Sequence, residues 1–429
     1  MTQGQEASFW ETFPDDKKGL RTFTRQNNLT NYQKLKGYAR KGYTLNGYAG
    51  RGKYQFTKIA SLDFGYERFG NIQYRLTPPK KEIDFFNKKL VVIFNSLGLS
   101  AVKASTRMFS DGAEFHIGES VFARNTYILR LADSNMTVGS MYLNTPNYPT
   151  FIEETDLLIK KVMRDLALSI DDVVLIGSSR GGFGAILHAF VGGYRAVVTD
   201  PIVSLVYDYN LDDRFFLRDD IEPDLINYIK PYFKATDSNR KITIVTNSEV
   251  PITYPYLTRL PNDRLDIIDL DAKLFSEMKH GELIAGSIPY YNSEINQALL
   301  EIDRGEIAKN TGKLSDDFDI EYPIDTRYFR FSAENGQLVI EKKQDVAENK
   351  SSFLVLKSAI SNADKIELQS DSPVKISVTN GRKADIGLNF SDQGIAELGI
   401  GGIWFMLKIN TSDYEVGKKY RISKLRITK

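Results

Sequence analysis

The stretch from Val173 to Phe190, "VVLIGSSRGGFGAILHAF", decides the fold of this chain. Four apolar residues come first, then a cluster of glycines and serines, then an apolar run with helical spacing. Within it, "GSSRG" matches G-x-S-x-G with Ser179 in the third position, a match that is meaningful between a strand and a helix. The flanking glycines permit a strained turn that lifts a hydroxyl above a sheet. The pattern therefore predicts Ser179, and not Ser178, at the tip of a nucleophile elbow.

A glycine-rich turn between a strand and a helix has a second interpretation, which is dinucleotide binding. That fingerprint requires the spacing G-x-G-x-x-G. The segment "GSSRGG" does not have this spacing. The interpretation of Ser179 as a nucleophile is therefore favoured over a cofactor-binding turn.

Residues 88–310 alternate short apolar runs with longer helical patterns. The helical pattern is clearest over 151–168, where apolar residues recur with a period close to that of an α-helix. Near-continuous apolar runs indicate strands that are buried on both faces, as in a parallel sheet. These predicted strands are 90–94, 127–131, 173–176, 196–199, 242–246 and 265–270. The alternation predicts an α/β domain with a mostly parallel sheet and helices on both faces.

Two further regions flank this α/β domain. Residues 1–87 are polar and aromatic, and the alternating segments "YQFTKI" and "IQYRLT" predict short strands that pack on the core. Residues 325–429 contain seven short strand patterns separated by Asn, Asp, Gly and Ser, which predicts an all-β sandwich. We expect glycan binding or assembly as the role of this C-terminal domain.

The composition limits the chemistry that is available to the chain. The 429 residues include no cysteine, which excludes disulfides, cysteine-bound zinc and thiol catalysis. The net charge of +1 gives no reason to expect nucleic acid as a partner. The longest apolar stretch, Leu398–Leu407, is too short to span a bilayer, and the segment after Met1 lacks the features of a secretion signal. We expect a cytoplasmic protein without a transmembrane segment, and the sequence predicts no oligomeric state.

Over residues 88–303, about half of the chain, the sequence resembles the α/β-hydrolase superfamily, in which an elbow serine, an acid and a histidine follow in that order. The resemblance implies that the base lies after the last strand, where His280 stands in "EMKHGELIAGS". His188 follows the elbow within its helix, and we interpret it as a core residue. His116 precedes the elbow, so it is a candidate substrate contact and not the base.

The same resemblance implies an acid at the end of a strand that follows the elbow. Glu249, in "NSEVP" after "ITIVT", is the leading candidate. Asp200, at the end of "AVVTD", is the alternative acid. A carboxylate in this position holds the imidazole in the productive tautomer and stabilises its cation.

A tetrahedral intermediate needs hydrogen-bond donors for its oxyanion. The motif assigns one of them to the backbone N–H of Arg180. The second is expected in the loop after the first predicted strand of the α/β region, from Ser96 or Leu97 in "NSLGLS". The Arg180 side chain is a candidate substrate contact or, alternatively, a salt-bridge partner, and no metal site is expected.

The elbow "GSSRGGFGA" and the polar aromatic N-terminal region also resemble capsular-polysaccharide biosynthesis proteins of the XcbB/CpsF type and glycan O-acetyltransferases of capsule loci and the accessory Sec system. This resemblance implies acetyl transfer from acetyl-CoA to a hydroxyl of a bacterial surface polysaccharide or oligosaccharide, with no bound cofactor. It also implies a peripheral place at a membrane-associated capsule assembly complex. An esterase with the same residues, and a non-catalytic scaffold in capsule or glycoprotein assembly, are the alternatives.

Overall fold

The computed structural model divides the chain into two compact units. Residues 1–80 and 88–298 form the first unit, and residues 81–87 and 299–429 form the second. The structure describes residues 6–13, 29–82, 87–96, 102–109, 121–206, 220–233, 240–260, 263–270, 279–310, 318–324, 328–343, 349–360, 365–379, 385–388, 395–397 and 404–428. The second unit includes all of the residues 325–429 for which the sequence predicts a β-sandwich.

An eight-stranded sheet is the centre of the first unit. The strands of this unit are β1 (Ser8–Thr12), β2 (Tyr43–Tyr48), β3 (Lys53–Lys58), β4 (Glu67–Phe69), β5 (Ile72–Thr77), β6 (Lys89–Phe94), β7 (Thr126–Leu131), β8 (Val173–Ser178), β9 (Arg195–Thr199), β10 (Ile242–Thr246) and β11 (Leu265–Asp269). The spatial order is β11-β10-β9-β8-β6-β7-β5-β4. All pairs from β7 to β11 along this order are parallel, whereas β5 and β4 are antiparallel. The prediction of a mixed α/β fold with a mainly parallel sheet is confirmed.

The burial of the central strands follows from their sequence. Strands β6 and β8 are buried along their whole length, as expected for apolar runs that are covered on both faces. In the spatial order of the sheet, β8 lies between β6 and β9. The carboxyl ends of these parallel strands meet at one edge, which is where α/β proteins bind ligands.

The N-terminal region belongs to the same unit as the α/β sheet. Strands β1, β3 and β2 form a small antiparallel sheet, and β4 and β5 extend the main sheet. The aromatic side chains Phe13, Tyr32, Tyr54 and Phe56 lie in the same hydrophobic cluster as the residues of the central strands. The aromatic residues of this region thus contribute to the core.

Helices lie between the strands of the first unit and after the last of them. They are α1 (Leu29–Arg40), α2 (Ala104–Phe109), α3 (Phe151–Asp165), α4 (Ser179–Gly192), α5 (Ile226–Ile229), α6 (Tyr254–Leu257), α7 (His280–Gly286) and α8 (Ile288–Asn310), the last of which continues into the second unit. The pattern over 219–233 predicts one helix, but α5 is followed by a 3₁₀ turn over Lys230–Tyr232, because Pro231 cannot donate a helical hydrogen bond. Within the described ranges, no helix is both long and apolar enough to cross a membrane.

The second unit is built from two five-stranded antiparallel sheets. The first contains, in spatial order, β12 (Ile320–Ile324), β15 (Ser351–Ile360), β20 (Trp404–Asn410), β17 (Ser377–Thr379) and β18 (Asp385–Gly387). The second contains, in spatial order, β13 (Phe329–Glu334), β14 (Gln337–Lys342), β21 (Lys419–Thr428), β16 (Lys365–Ser370) and β19 (Ile395–Glu397). One hydrophobic cluster contains side chains from both sheets, including Phe331 and Leu407.

Candidate active site

The elbow joins the last residue of β8, Ser178, to the first residue of α4, Ser179. The backbone of Ser179 has φ +53°, in the left-handed region that non-glycine residues rarely adopt. Such strain in a residue other than glycine occurs mainly at functional sites. The Ser178 side chain is buried, and its hydroxyl has no hydrogen-bond partner among the described residues. Ser179 is half-buried and stands at the tip of the turn.

Two glycines allow this turn to pack closely against the sheet. A Cβ on Gly177 would collide with the backbone carbonyl of Gly181. A Cβ on Gly181 would collide with the carbonyl oxygen of Phe94, at the end of β6. Neither neighbour can move without shifting the backbone. Gly177 is therefore required by the tightness of the turn itself, and Gly181 by the contact between the elbow and the end of strand β6.

His280 is the first residue of α7 and contacts the elbow serine. Its Nε2 atom lies 2.8 Å from Ser179 Oγ, and its side chain is 20% exposed. Leu283, one turn further along, packs in a buried cluster with Val245 and Leu270. The start of α7 is thereby held beside the carboxyl edge of the sheet, where the imidazole can accept a proton from Ser179.

Asp200 directly follows β9 and contacts the other nitrogen of the same ring. The distance from His280 Nδ1 to Asp200 Oδ2 is 2.6 Å, and the Asp200 side chain is fully buried. Its second oxygen, Oδ1, accepts hydrogen bonds from the hydroxyls of Thr246 (3.0 Å) and Thr253 (2.5 Å). A buried carboxylate is costly unless its oxygens are hydrogen-bonded. Because the carboxylate can only accept, it places the ring proton of His280 on Nδ1 and leaves Nε2 as an acceptor.

The structure corrects the prediction that Glu249 is the partner of His280. Glu249 is exposed, and its backbone N–H donates to the side chain of Asn247 at 2.8 Å in the turn after β10. Strand β9 is the direct neighbour of β8, whereas β10 lies one strand further away, at roughly 4.8 Å per strand. The alternative acid, Asp200, is therefore the carboxylate that reaches the imidazole.

The structure also corrects the prediction that the Arg180 side chain contacts substrate. This side chain is only 3% exposed and donates to the backbone carbonyls of Val138 (2.7 Å) and Ser96 (3.1 Å). Its Nη1 atom lies 3.8 Å from the fully buried carboxylate of Asp133. The guanidinium is thus committed to the protein interior, and the carboxylate beside it belongs to the loop after β7 and not to the exposed face of α4.

The remaining candidates have different outcomes. Ser96 is buried just after the end of β6, beside the elbow. Leu97 and His116 lie outside the described residues, so their predicted roles stay predictions.

His188 is fully buried in α4 and stacks on Phe94 with a centroid distance of 5.2 Å, as expected of a core residue. Within the part of the chain that the structure describes, no group of side chains is arranged to hold a metal ion.

The sequence reasoning missed the loop after β7. Residues 132–143 are almost entirely buried, although most of them are polar or small. Asp133 accepts hydrogen bonds from the backbone N–H groups of Ser140 (2.9 Å) and Tyr142 (3.3 Å). Met136, Met141 and Tyr142 have positive φ. The sequence of this loop has neither helical nor strand periodicity, so no sequence pattern predicts it. Its positive φ angles are visible only in the folded structure, and backbone strain of this kind is concentrated at functional sites.

No protein-family profile and no curated protein matches this chain. Among solved structures, a glycosylation-associated protein (Gap123) complex from Streptococcus agalactiae aligns with 17% identity and a TM-score of 0.42 over 58% of this chain and 50% of that chain. The capsule O-acetyltransferase of Neisseria meningitidis serogroup A aligns with 16% identity and a TM-score of 0.37 over 56% and 99% of the two chains. An S-formylglutathione hydrolase from Agrobacterium tumefaciens aligns with 14% identity and a TM-score of 0.36 over 54% and 90%. This chain thus spans half of the length of the first of these proteins.

Proposed function

We propose that this chain is a serine-dependent acyl-transfer enzyme that forms an acyl-enzyme on Ser179. The observation that carries the proposal is the continuous hydrogen-bonded series from Ser179 Oγ to His280 Nε2 (2.8 Å) and from His280 Nδ1 to Asp200 Oδ2 (2.6 Å). Nucleophile, base and orienting acid arranged in this way constitute a catalytic triad, which is recognised by geometry and not by position in the sequence.

In the first half-reaction, Ser179 Oγ attacks the acyl carbon of the donor while His280 Nε2 takes the hydroxyl proton. The bond between the acyl carbon and the leaving group then breaks, and the leaving group receives the proton from His280. The buried carboxylate of Asp200 stabilises the imidazolium that exists between these two proton transfers. A serine at its ordinary pKa is a weak nucleophile, so this arrangement supplies the activation that it needs.

The oxyanion that forms in the same step needs donors close to Ser179. We assign the first to the backbone N–H of Arg180, the second residue of α4, where the positive end of the helix dipole favours negative charge. We assign the second to the segment after β6, with Ser96 or Leu97 as the donor. The close contact of Gly181 with the Phe94 carbonyl, which holds the elbow against this segment, supports both assignments.

In the second half-reaction, His280 removes a proton from the acceptor, whose oxygen attacks the acyl carbon. The bond from the acyl carbon to Ser179 Oγ then breaks, and Oγ takes the proton from His280. We propose that the donor is acetyl-CoA and that the acceptor is a sugar hydroxyl of a bacterial surface polysaccharide. The support for these two molecules is the resemblance of the elbow and the N-terminal region to glycan O-acetyltransferases. If water is the acceptor instead, the same residues make an esterase.

Incubation of the protein with acetyl-CoA, with and without a capsular oligosaccharide, tests the acceptor. Release of CoA that requires the saccharide and yields an acetylated product supports the transferase, and release without it supports a hydrolase. p-Nitrophenyl acetate serves as a donor that needs no CoA recognition, and Ser179→Ala is the matched control. If wild type and Ser179→Ala are equally inactive with both donors, the proposed acyl transfer is wrong.

A further inference from the structure

Two side chains from different parts of the chain hold the backbone that follows β6. Arg180 donates from Nη2 to the carbonyl of Ser96 at 3.1 Å, and the Tyr142 hydroxyl donates to the carbonyl of Asn95 at 2.9 Å. The Asn95 side chain in turn donates to the Met108 carbonyl at 2.5 Å. All three side chains are buried. Consecutive carbonyls of this segment are thus fixed by buried donors.

The guanidinium of Arg180 is itself held in place by the loop after β7. It donates to the Val138 carbonyl at 2.7 Å and lies 3.8 Å from Asp133, whose carboxylate is fully buried. Removing one partner of a buried ion pair leaves an uncompensated charge and is strongly destabilising. The side chain of Arg180 is therefore held in one position, and its hydrogen bond to the Ser96 carbonyl holds that carbonyl in place.

A fixed carbonyl also fixes the N–H of the next residue. The peptide group is planar and trans, so its C=O and N–H bonds point in opposite directions. Because the hydroxyl of Tyr142 holds the Asn95 carbonyl, it determines the direction of the Ser96 N–H. The segment that carries the proposed second oxyanion donor therefore has its orientation set by Tyr142 and Arg180.

From this arrangement we infer that Tyr142 and Arg180 are positioning residues of the oxyanion hole. Arg180 joins the two halves of that hole, since its backbone N–H is the proposed first donor and its side chain holds the segment of the second. Oxyanion donors act by being in place before charge develops, and a displacement of about 1 Å can reduce the rate about 100-fold. The inference rests on the proposed acyl-transfer function of Ser179.

The variant Tyr142→Phe tests the inference because it removes only the hydroxyl. Tyr194→Phe is the matched control: Tyr194 is also fully buried, and its hydroxyl donates to Asp156 at 3.0 Å at the opposite, amino-terminal end of β9. We expect Tyr142→Phe to lower kcat/KM for p-nitrophenyl acetate by about 10- to 100-fold. We expect the affinity for a phenylboronic acid, which forms a tetrahedral adduct with a reactive serine, to fall by a similar factor. For Tyr194→Phe we expect both quantities to stay within about two-fold of wild type.

The boronate measurement separates positioning from a general loss of stability. A Tyr142→Phe variant that loses rate but binds the boronate as wild type does would overturn the inference, as would equal effects of Tyr142→Phe and Tyr194→Phe. Arg180→Lys, which keeps the charge beside Asp133 but has no planar fork, should show the same parallel loss if it folds. If the wild-type protein neither turns over the ester nor binds the boronate, the proposed function fails, which is a different result from wild-type activity that is insensitive to Tyr142.

Discussion

Asp200 Oδ2 lies 2.6 Å from Nδ1 of His280, and the protein buries this carboxylate completely. The two threonine hydroxyls on its other oxygen, from Thr246 and Thr253, fix the orientation of the carboxylate. Asp200 itself has φ +39°, so the backbone is strained at the acid as well as at the nucleophile. Strain at two residues that meet through one imidazole is what a preorganised catalytic site would show.

The first prediction concerns the identity of the acid. Asp200→Asn should lower kcat for an activated ester by about 10⁴-fold, because an amide favours the wrong tautomer of His280. Glu249→Gln is the matched control, since Glu249 is an exposed residue that does not contact the ring. It should stay within about two-fold of wild type. Measurement of kcat for both variants under the same conditions tests this prediction. A larger loss of kcat in Glu249→Gln would show that Glu249, and not Asp200, is the acid.

The second prediction concerns the packing of the elbow. Gly181→Ala should destabilise the first unit by about 3 kcal/mol, because the added Cβ meets the Phe94 carbonyl and the backbone must shift. Gly37→Ala in α1 meets no atom within 4 Å and should stabilise the protein by about 0.5–1 kcal/mol. Urea unfolding of both variants tests this prediction. Equal stabilities would show that the elbow does not contact β6 as described.

The third prediction concerns the pH dependence of stability. Burial lowers the pKa of His188 to about 4 from its ordinary value of 6.5, despite the opposing effect of the nearby Asp156 carboxylate. Below pH 6.5 His188 is protonated in the unfolded chain, whereas in the folded chain it binds this proton only at about pH 4. The free energy of unfolding should therefore fall as the pH decreases through this interval, by about 3 kcal/mol in total from this residue.

The variant His188→Leu isolates this contribution. Neither ring nitrogen of His188 has a hydrogen-bond partner among the described residues, so an apolar side chain of similar size should be tolerated at neutral pH. The difference in stability between variant and wild type should grow as the pH falls from 6.5 to 4. Trp10 is the only tryptophan of the first unit, so its fluorescence in a Trp404→Phe background reports on that unit. A pH-independent difference would contradict the prediction.

Local patterns in the sequence predict those parts of the site that local chemistry determines. The elbow needs small residues around Ser179, and the apolar runs predict the strands, because both features are encoded within a few residues. The choice between Asp200 and Glu249 is not local. Both follow buried strands, and only the order of the strands and the turn at Asn247 decide which carboxylate reaches His280.

Local sequence patterns also do not predict that the side chain of Arg180 lies in the protein interior. Its partners Asp133 and Val138 lie in a buried loop without periodicity, more than forty residues earlier in the chain. An arginine next to a nucleophile is compatible with substrate binding or with a buried ion pair, and residue type alone does not separate the two. The contacts of Arg180 with Val138 and Asp133 in the folded chain show which of the two applies.

The most direct test of the central claim is to identify the serine that becomes covalently modified. We expect a fluorophosphonate probe to label wild type and Ser178→Ala, with mass spectrometry locating the adduct on Ser179. The reason is that the hydroxyl of Ser179, and not that of the buried Ser178, contacts His280. Ser179→Ala should remain unlabelled while keeping the wild-type unfolding midpoint. Labelling of a folded Ser179→Ala variant, or an adduct located on Ser178 in the wild-type protein, would contradict the account.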